Sequence, residues 1–337
     1  MIQRLALYNF RSRRSYAVDF QPGMNIITGP NGCGKTTILE AIYITLTGKS
    51  WRSNFDEIIH RPITDVDNWW KIDLTVDNEL RTVKYIHQQK EFIIDSKSFK
   101  RLSSQRKLPV VLFEPNDMQL LYGSPKRRRD FLDRMINVII PNHQSDVNKF
   151  ERVLRQRNNL IKQDEVRADE LLVWDIQFAE LSSRISERRS RFVSRLNRTL
   201  NDKYREIASI DDAVKLQFIN GAPVAQSAIL KALTIAYDGV TPVGAQKDDF
   251  KFIFNGKDSK LNASRGENRT TLFALLAVIV DTVRESLGQA YVLLDDVDSE
   301  LDEVHRHNLY STSSFTVDTI ATTLTYSGSQ CHHIEIG

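Results

Sequence analysis

The chain has 337 residues, 41% of them hydrophobic and 26% charged, with a formal net charge of +3. That balance excludes a disordered or fibrous chain. No apolar stretch reaches the roughly 18 residues of a membrane span, the longest being Leu272 to Val280, so no membrane role is expected and a cytoplasmic setting is. Two cysteines, Cys33 and Cys331, cannot build a disulfide framework, and Cys331, His332 and His333 need further partners before they make a metal centre.

In chain order, Met1 to Phe10 alternates and is mixed in charge, which reads as a first strand and not as a secretory signal. Further strands are expected at Met24 to Thr28, Trp70 to Val76, Leu80 to Ile86, Glu91 to Asp95 and Pro109 to Phe113. One helix, Lys35 to Thr47, interrupts them. From about Lys126 to Ile207 the pattern is helical. Leu171, Trp174, Phe178, Leu181, Ile185, Phe192, Leu196 and Leu200 are spaced as a coiled-coil-like seam with one register shift, an arm of at most about 60 Å. Strands resume near Leu216, and α/β character returns from Phe250. The expected organisation is an N-terminal α/β half over 1–113, a helical lobe over 114–240 and a C-terminal α/β half over 241–337.

The charge is uneven along this order. From Ser124 to Arg205 there are 19 Lys and Arg against 12 Asp and Glu, a net +7 that leaves −4 for the remainder. Such asymmetry points to a polyanionic partner. Within it, Arg184, Arg188, Arg191, Arg195 and Arg198 are spaced four, three, four and three apart and share one helix face. Guanidinium groups in such a row suit a DNA phosphate backbone, with affinity but no base reading.

Residues Gly29, Pro30, Asn31, Gly32, Cys33, Gly34, Lys35 and Thr36 fit G-x-x-x-x-G-K-[ST] between a strand and a helix that opens at Thr37. Glycines let successive N–H groups face phosphates at the positive helix end. Lys35 would reach the β and γ oxygens of ATP, and Thr36 would hold Mg²⁺. Tyr291 to Asp296 reads as a buried strand ending in two carboxylates, of which Asp295 would orient the magnesium shell and Asp296 would polarise the attacking water. Ser264, Gly266 and Glu267 open a second helix with an anion-binding end. One triphosphate has no need of two helix ends, so the second is expected to cap ATP held by a partner chain.

In this order the motifs resemble the ABC-type ATPase heads of the SMC class, and more closely the RecF family. The resemblance rests on Leu7 to Ser12, Gly23 to Asn25, the P-loop, Lys49 to Arg52, Phe113 to Asp117, Gly123 to Asp133, Leu154 to Asn158, Ser264 to Arg269 and Leu293 to Asp302. It implies an ABC-type, SMC-like P-loop ATPase head with an inserted, mainly helical second lobe carrying the short arm. It further implies a weak ATPase that acts as a switch, dimerises with ATP on double-stranded or gapped DNA and helps load recombinase in repair. Its partners would be RecR, RecO and the RecA recombinase. By the same resemblance Arg11 joins the ATP site, Ser264 starts the signature motif acting in trans, and Ser299 to Asp302 is the D-loop. Two departures stand out. Gly244 to Asp249 replaces a Gly-Pro-His-Arg-Asp-Asp type segment, and Glu267 replaces a glutamine. Other readings of the same motifs are another SMC-like ATPase of DNA metabolism, a transporter ATPase subunit or a small-molecule kinase. The transporter reading shares the three motifs but leaves the basic middle third and the Gly123 to Asp133 segment without a use, and the kinase reading leaves the Ser264 helix start without one.

Overall fold

The computed structural model describes residues 1–59, 69–163, 168–233, 240–296, 303–326 and 331–337, with backbone alone at 303–305. The alternating N-terminal sequence becomes β1 (Ile2–Phe10), which turns through Arg11 at φ 54° into β2 (Arg13–Asp19). β3 (Met24–Thr28) runs buried into the glycine-rich loop, and α1 (Lys35–Thr47) leaves it. A meander of β4 (Trp69–Val76), β5 (Glu79–Ile86), β6 (Gln89–Ile94) and β7 (Lys97–Phe99) precedes the buried β8 (Val110–Phe113). The middle of the chain holds α2 (Gln119–Tyr122), α3 (Pro125–Ile139), α4 (His143–Leu160), α5 (Ala168–Leu196) and α6 (Leu200–Ala208). Next come β9 (Val214–Ile219), α7 (Gln226–Leu233), β10 (Asp249–Phe254), β11 (Lys257–Asp258), α8 (Ser259–Asn262) and α9 (Arg265–Leu287). β12 (Tyr291–Leu294), α10 (Glu303–Ser311), β13 (Thr319–Thr323) and β14 (His332–Glu335) follow.

Two compact units result, Met1–Asp117 with Val283–Gly337, and Met118–Thr282. The second unit therefore reaches beyond the boundary expected after residue 240. The reason is pairing: β10 zips along the whole of β9, from Asp249 opposite Ile219 to Phe254 opposite Val214, so 241–282 folds with the segment before it.

The first unit contains a six-stranded sheet, β2-β1-β4-β5-β6-β7, and a five-stranded parallel sheet, β14-β3-β13-β12-β8. In β4 the alternation puts Trp70, Ile72, Leu74 and Val76 inside, the mark of a half-buried strand. β8 and β12 are buried at every position, as parallel strands covered on both faces are. One core joins Leu5, Leu7 and Trp70 of the first sheet to Ile27, Leu112, Leu293 and Ile320 of the second, with α1 packed into it. Ile38, Leu39, Ala41, Ile42, Ile44 and Leu46 of α1 are all 0% exposed. A helix covered all round shows no amphipathic stripe, and the apolar residues of α1 are accordingly spread around its axis, with Glu40 buried among them.

The second unit is built on α4 and α5. Arg157 meets Asp175, while Asp146, earlier on α4, meets Arg188, later on α5, so the two helices run antiparallel. The seam residues Leu171, Phe178, Leu181, Ile185, Phe192 and Leu196 are buried. The helix carrying them stops at Leu196, about 44 Å from its start at 1.5 Å per residue, and a turn at Asn197 to Thr199 separates it from α6. The seam is therefore shared between two helices and not drawn out as one 60 Å arm.

Ion pairs lock this unit. Arg189 donates to both oxygens of Asp133 at 2.8 and 2.7 Å and to Asp248 at 2.9 Å, with 4% and 0% of Asp133 and Asp248 exposed. Arg128 grips Asp249 at 2.7 and 2.9 Å, and Arg129 donates to the Asp248 carbonyl at 2.9 Å. The segment Gly123 to Asp133 and the divergent Gly244 to Asp249 are thus two halves of one clamp. Burial alone would raise the Asp133 carboxyl, but hydrogen bonds from Arg189 and His143 outweigh it and hold the group below its ordinary value.

Replacing Arg189 by Met takes the shared cation from two buried carboxylates, leaving them only the hydrogen bonds of His143, Ser186 and the Gly221 N–H, and breaking such a pair costs about 3 to 5 kcal/mol. Urea unfolding is expected to shift to a midpoint lower by about 1 M or more, and an unchanged midpoint would contradict the clamp. Because the folded Asp133 value lies below the unfolded one, its contribution is complete above the unfolded carboxylate value of about 4. It is lost as pH falls through the depressed folded value, so Asp133→Asn should flatten the acid limb of stability.

Candidate functional site

The phosphate loop lies at the carboxyl end of β3, where a parallel sheet opens toward ligands. Gly29 is required by contact: a Cβ there would sit 2.2 Å from the Ile336 carbonyl oxygen. Gly34, at φ 99°, caps α1 with no side-chain hydrogen bond, and no acidic residue stands in the first turn. The first N–H groups of α1 therefore keep their partial positive charge. Lys35, 8% exposed, turns its Nζ onto the carbonyl oxygens of Gly29 and Pro30 at 2.5 and 3.1 Å.

The carboxylate expected to face this loop does so. Thr36 Oγ1 donates to Asp295 Oδ1 at 3.0 Å. The strand between β3 and β12 is β13, and its Thr322 makes the connection that the sequence did not disclose. Thr322 Oγ1 donates to Asp295 Oδ1 at 2.8 Å and accepts the Asp296 backbone N–H at 2.9 Å. Asp296 adopts φ 48°, so one threonine fixes the first carboxylate and the turn that carries the second. Its only sequence signal is a threonine-rich run, Thr319 to Thr323, where an apolar core strand belongs. Burial raises the Asp295 carboxyl, although hydrogen bonds from Thr322 and Thr36 and the charge of Arg52 oppose the shift.

The β1–β2 hairpin supplies two arginines with different targets. Arg11 pairs with the fully buried Glu40 of α1 through two bonds of 2.9 and 2.7 Å, and Ser50 adds a third at 2.6 Å. The arginine that touches the phosphate loop is Arg13. It donates to the Cys33 carbonyl, lies 4.6 Å from the Tyr16 ring centroid, and holds a buried Nε that no described residue satisfies. An ammonium parked on loop carbonyls, an uncapped helix end and an unsatisfied guanidinium N–H fit a polyphosphate. The Thr36 and Asp295 oxygens are hard ligands of the kind Mg²⁺ selects.

In the second unit Ser264 and Glu267 form a capping box on α9. Ser264 N–H donates to Glu267 Oε2 at 2.6 Å, and Glu267 N–H donates to Ser264 Oγ at 3.2 Å, with Gly266 between them. The arginine row is more engaged than its spacing suggests. Arg184 pairs with Glu180 and Asp146, Arg188 with Asp146, Arg191 with Glu187, and Arg195 donates to the Thr282 carbonyl at 3.4 Å. Arg198 lies exposed beyond the end of α5. Ser299 and Asp302 lie outside the described residues. Among the described residues no helix is long and apolar enough to cross a membrane.

A family model described as the RecF/RecN/SMC N terminal domain matches residues 1–324. The chain is similar to the DNA replication and repair protein RecF of Acholeplasma laidlawii (strain PG-8A), 31% identical with 92% of this chain and 89% of the relative covered. It is 32% identical to the protein of that name in Symbiobacterium thermophilum, with 92% and 88% covered. Among solved structures, the recombination mediator protein RecF-ATPrS in the RecFOR pathway superposes with a TM-score of 0.83 at 26% identity, over 100% of this chain and 96% of that one. An Smc head bound to the C-winged helix domain of ScpA, at 0.56 and 15% identity over 96% and 89%, shares the fold.

Thr322→Val removes a hydrogen bond to a buried carboxylate, worth about 1.5 to 3 kcal/mol. Magnesium-dependent ATP hydrolysis is expected to fall about 10-fold to 100-fold on that basis, while nucleotide binding without metal is kept. Wild-type turnover in the variant would show that Asp295 is positioned without it.

Proposed function

The chain belongs to the RecF family, and from that premise we propose that it is an ATP-dependent DNA-binding protein of recombinational repair, working as a slow ATPase switch in the cytoplasm. The transporter and kinase readings of its motifs fall with the family match. The observation that carries the proposal is the Thr36 to Asp295 hydrogen bond of 3.0 Å, which joins the phosphate loop to the acidic strand in one site.

On this reading the loop N–H groups and Lys35 bind the β and γ phosphates of ATP, Lys35 exchanging its two carbonyl partners for phosphate oxygens. The backbone N–H groups of Asn31 to Thr37 and the Arg13 guanidinium add positive charge. Magnesium, when bound by Thr36 and Asp295, neutralises charge on the phosphates. Asp296 takes a proton from the attacking water. The Thr322 bond to its backbone N–H keeps that carboxylate at the strand end.

Ser264, Gly266 and the α9 terminus cap the γ-phosphate of a second copy, which makes ATP the glue of a homodimer. The capping box adds a condition to closure. Ser264 N–H can face a phosphate only after Glu267 gives it up, so closure costs more here than with a neutral residue at that position. DNA, double-stranded or gapped, meets the Arg184 to Arg198 row. RecR, RecO and the RecA recombinase are the proposed partners, in keeping with the RecFOR pathway in which the structural relative is described.

The test mixes two defective proteins. Lys35→Met cannot hold ATP, and Ser264→Arg cannot cap it, yet one composite site in the mixed dimer is intact. Each protein alone is expected to lose DNA-stimulated ATP hydrolysis, and the mixture should regain roughly a quarter of wild-type activity, one dimer site in four being whole by random pairing. No recovery in the mixture would remove the two-chain site.

A further inference from the structure

The β5 to β7 side of the first unit carries a charge that the basic middle third does not include. Between Lys84 and Lys107 there are seven Lys and Arg against two Asp and Glu, a net +5 in a protein whose total is +3. Lys90, Lys97, Lys100, Arg101, Arg106 and Lys107 are exposed, and Lys84 is half-buried. Of the two acids, Glu91 accepts from Ser98 at 2.6 Å and Asp95 sits in the β6–β7 turn. Among the described residues, none of the seven cations is ion-paired, whereas Arg184, Arg188 and Arg191 on α5 all are.

These cations are presented from a fixed edge. β7 pairs back on β6 with Ile94 opposite Lys97 and Phe92 opposite Phe99, so Lys100 and Arg101 leave the sheet level with the start of β6, where Lys90 stands. Arg106 packs its guanidinium 4.0 Å from the Phe99 ring centroid, and Lys90 its ammonium 4.9 Å from that of Phe55. The turn beyond is pinned by Arg81, which donates to the Arg106 carbonyl at 2.7 Å, and by buried Leu102. Lysines on an edge strand block sheet-to-sheet pairing, which accounts for Lys97. Lys100, Arg101, Arg106 and Lys107 lie past the strand and have no edge to guard.

We infer that this edge is a second contact for the DNA phosphate backbone, in addition to the α5 row and resting on the DNA-binding reading above. Unpaired cations on a rigid edge release counterions when they meet phosphates. With Lys and Arg as its only charged donors the edge positions a duplex and reads no sequence.

The test replaces Lys97, Lys100, Arg101 and Lys107 together by Gln and follows binding of a fluorescein-labelled duplex by anisotropy, with magnesium ATP, across a salt series. The expected result is a salt slope flatter by about 3 to 4 units and a loss of at least about 100-fold in affinity at physiological salt, at every sequence and with ATP affinity unchanged. Wild-type slope and affinity in the variant overturn this inference alone, including the case in which the variant loses only an acidic protein partner. A wild-type protein that binds no duplex overturns the functional reading, and this inference with it.

Discussion

One carboxylate organises the first unit. Asp295 is 6% exposed, and burying its charge is tolerable because Thr36 and Thr322 both donate to the same oxygen. Those two donors come from α1 and β13, so the phosphate loop, the acidic strand and the strand between them are held to one another at a single atom. The parallel order β3-β13-β12 is what makes this possible, since only the middle strand touches both neighbours. The site is a consequence of strand order as much as of motif.

The second unit solves a different problem with the same means. A lobe with so many arginines has to dispose of their charge, and it does so by burying Arg157, Arg189 and their acid partners at helix contacts. Buried pairs add little net stability over an apolar core but are costly to break, so they fix which helix faces meet. This is why the family-like Gly123 to Asp133 segment turns out to be architecture, with Arg128 and Arg129 turned inward on the Gly244 to Asp249 loop and Asp133 joined to it through Arg189.

The sequence was most legible where periodicity and spacing act locally. The bounds of β3 and α1 follow from an apolar run, a glycine-rich loop and a helix-forming stretch, and β4 from its period of two. The pairing of Thr36 with Asp295 was legible because the chemistry of magnesium and phosphate demands it. Thr322 and Arg13 were not, because their roles come from strand neighbours and a hairpin that spacing does not reveal. The arginine row illustrates the same limit. Its spacing puts all five on one helix, whereas α5 ends at Leu196 and leaves Arg198 in the turn beyond, and the acids that neutralise Arg184 and Arg188 include Asp146 on another helix. Conversely, the +5 segment from Lys84 to Lys107 is visible in the sequence, yet whether it is paired depends on what the sheet places beside it.

The claim on which the functional account turns is that ATP and DNA act jointly on two copies of the chain. Sedimentation velocity of the wild-type protein on gapped DNA, with and without magnesium ATP, tests it most directly. The account predicts a faster species holding two copies per DNA only when ATP and DNA are both present, returning to the slower species as ATP is hydrolysed. The same sedimentation coefficient with and without ATP would contradict it.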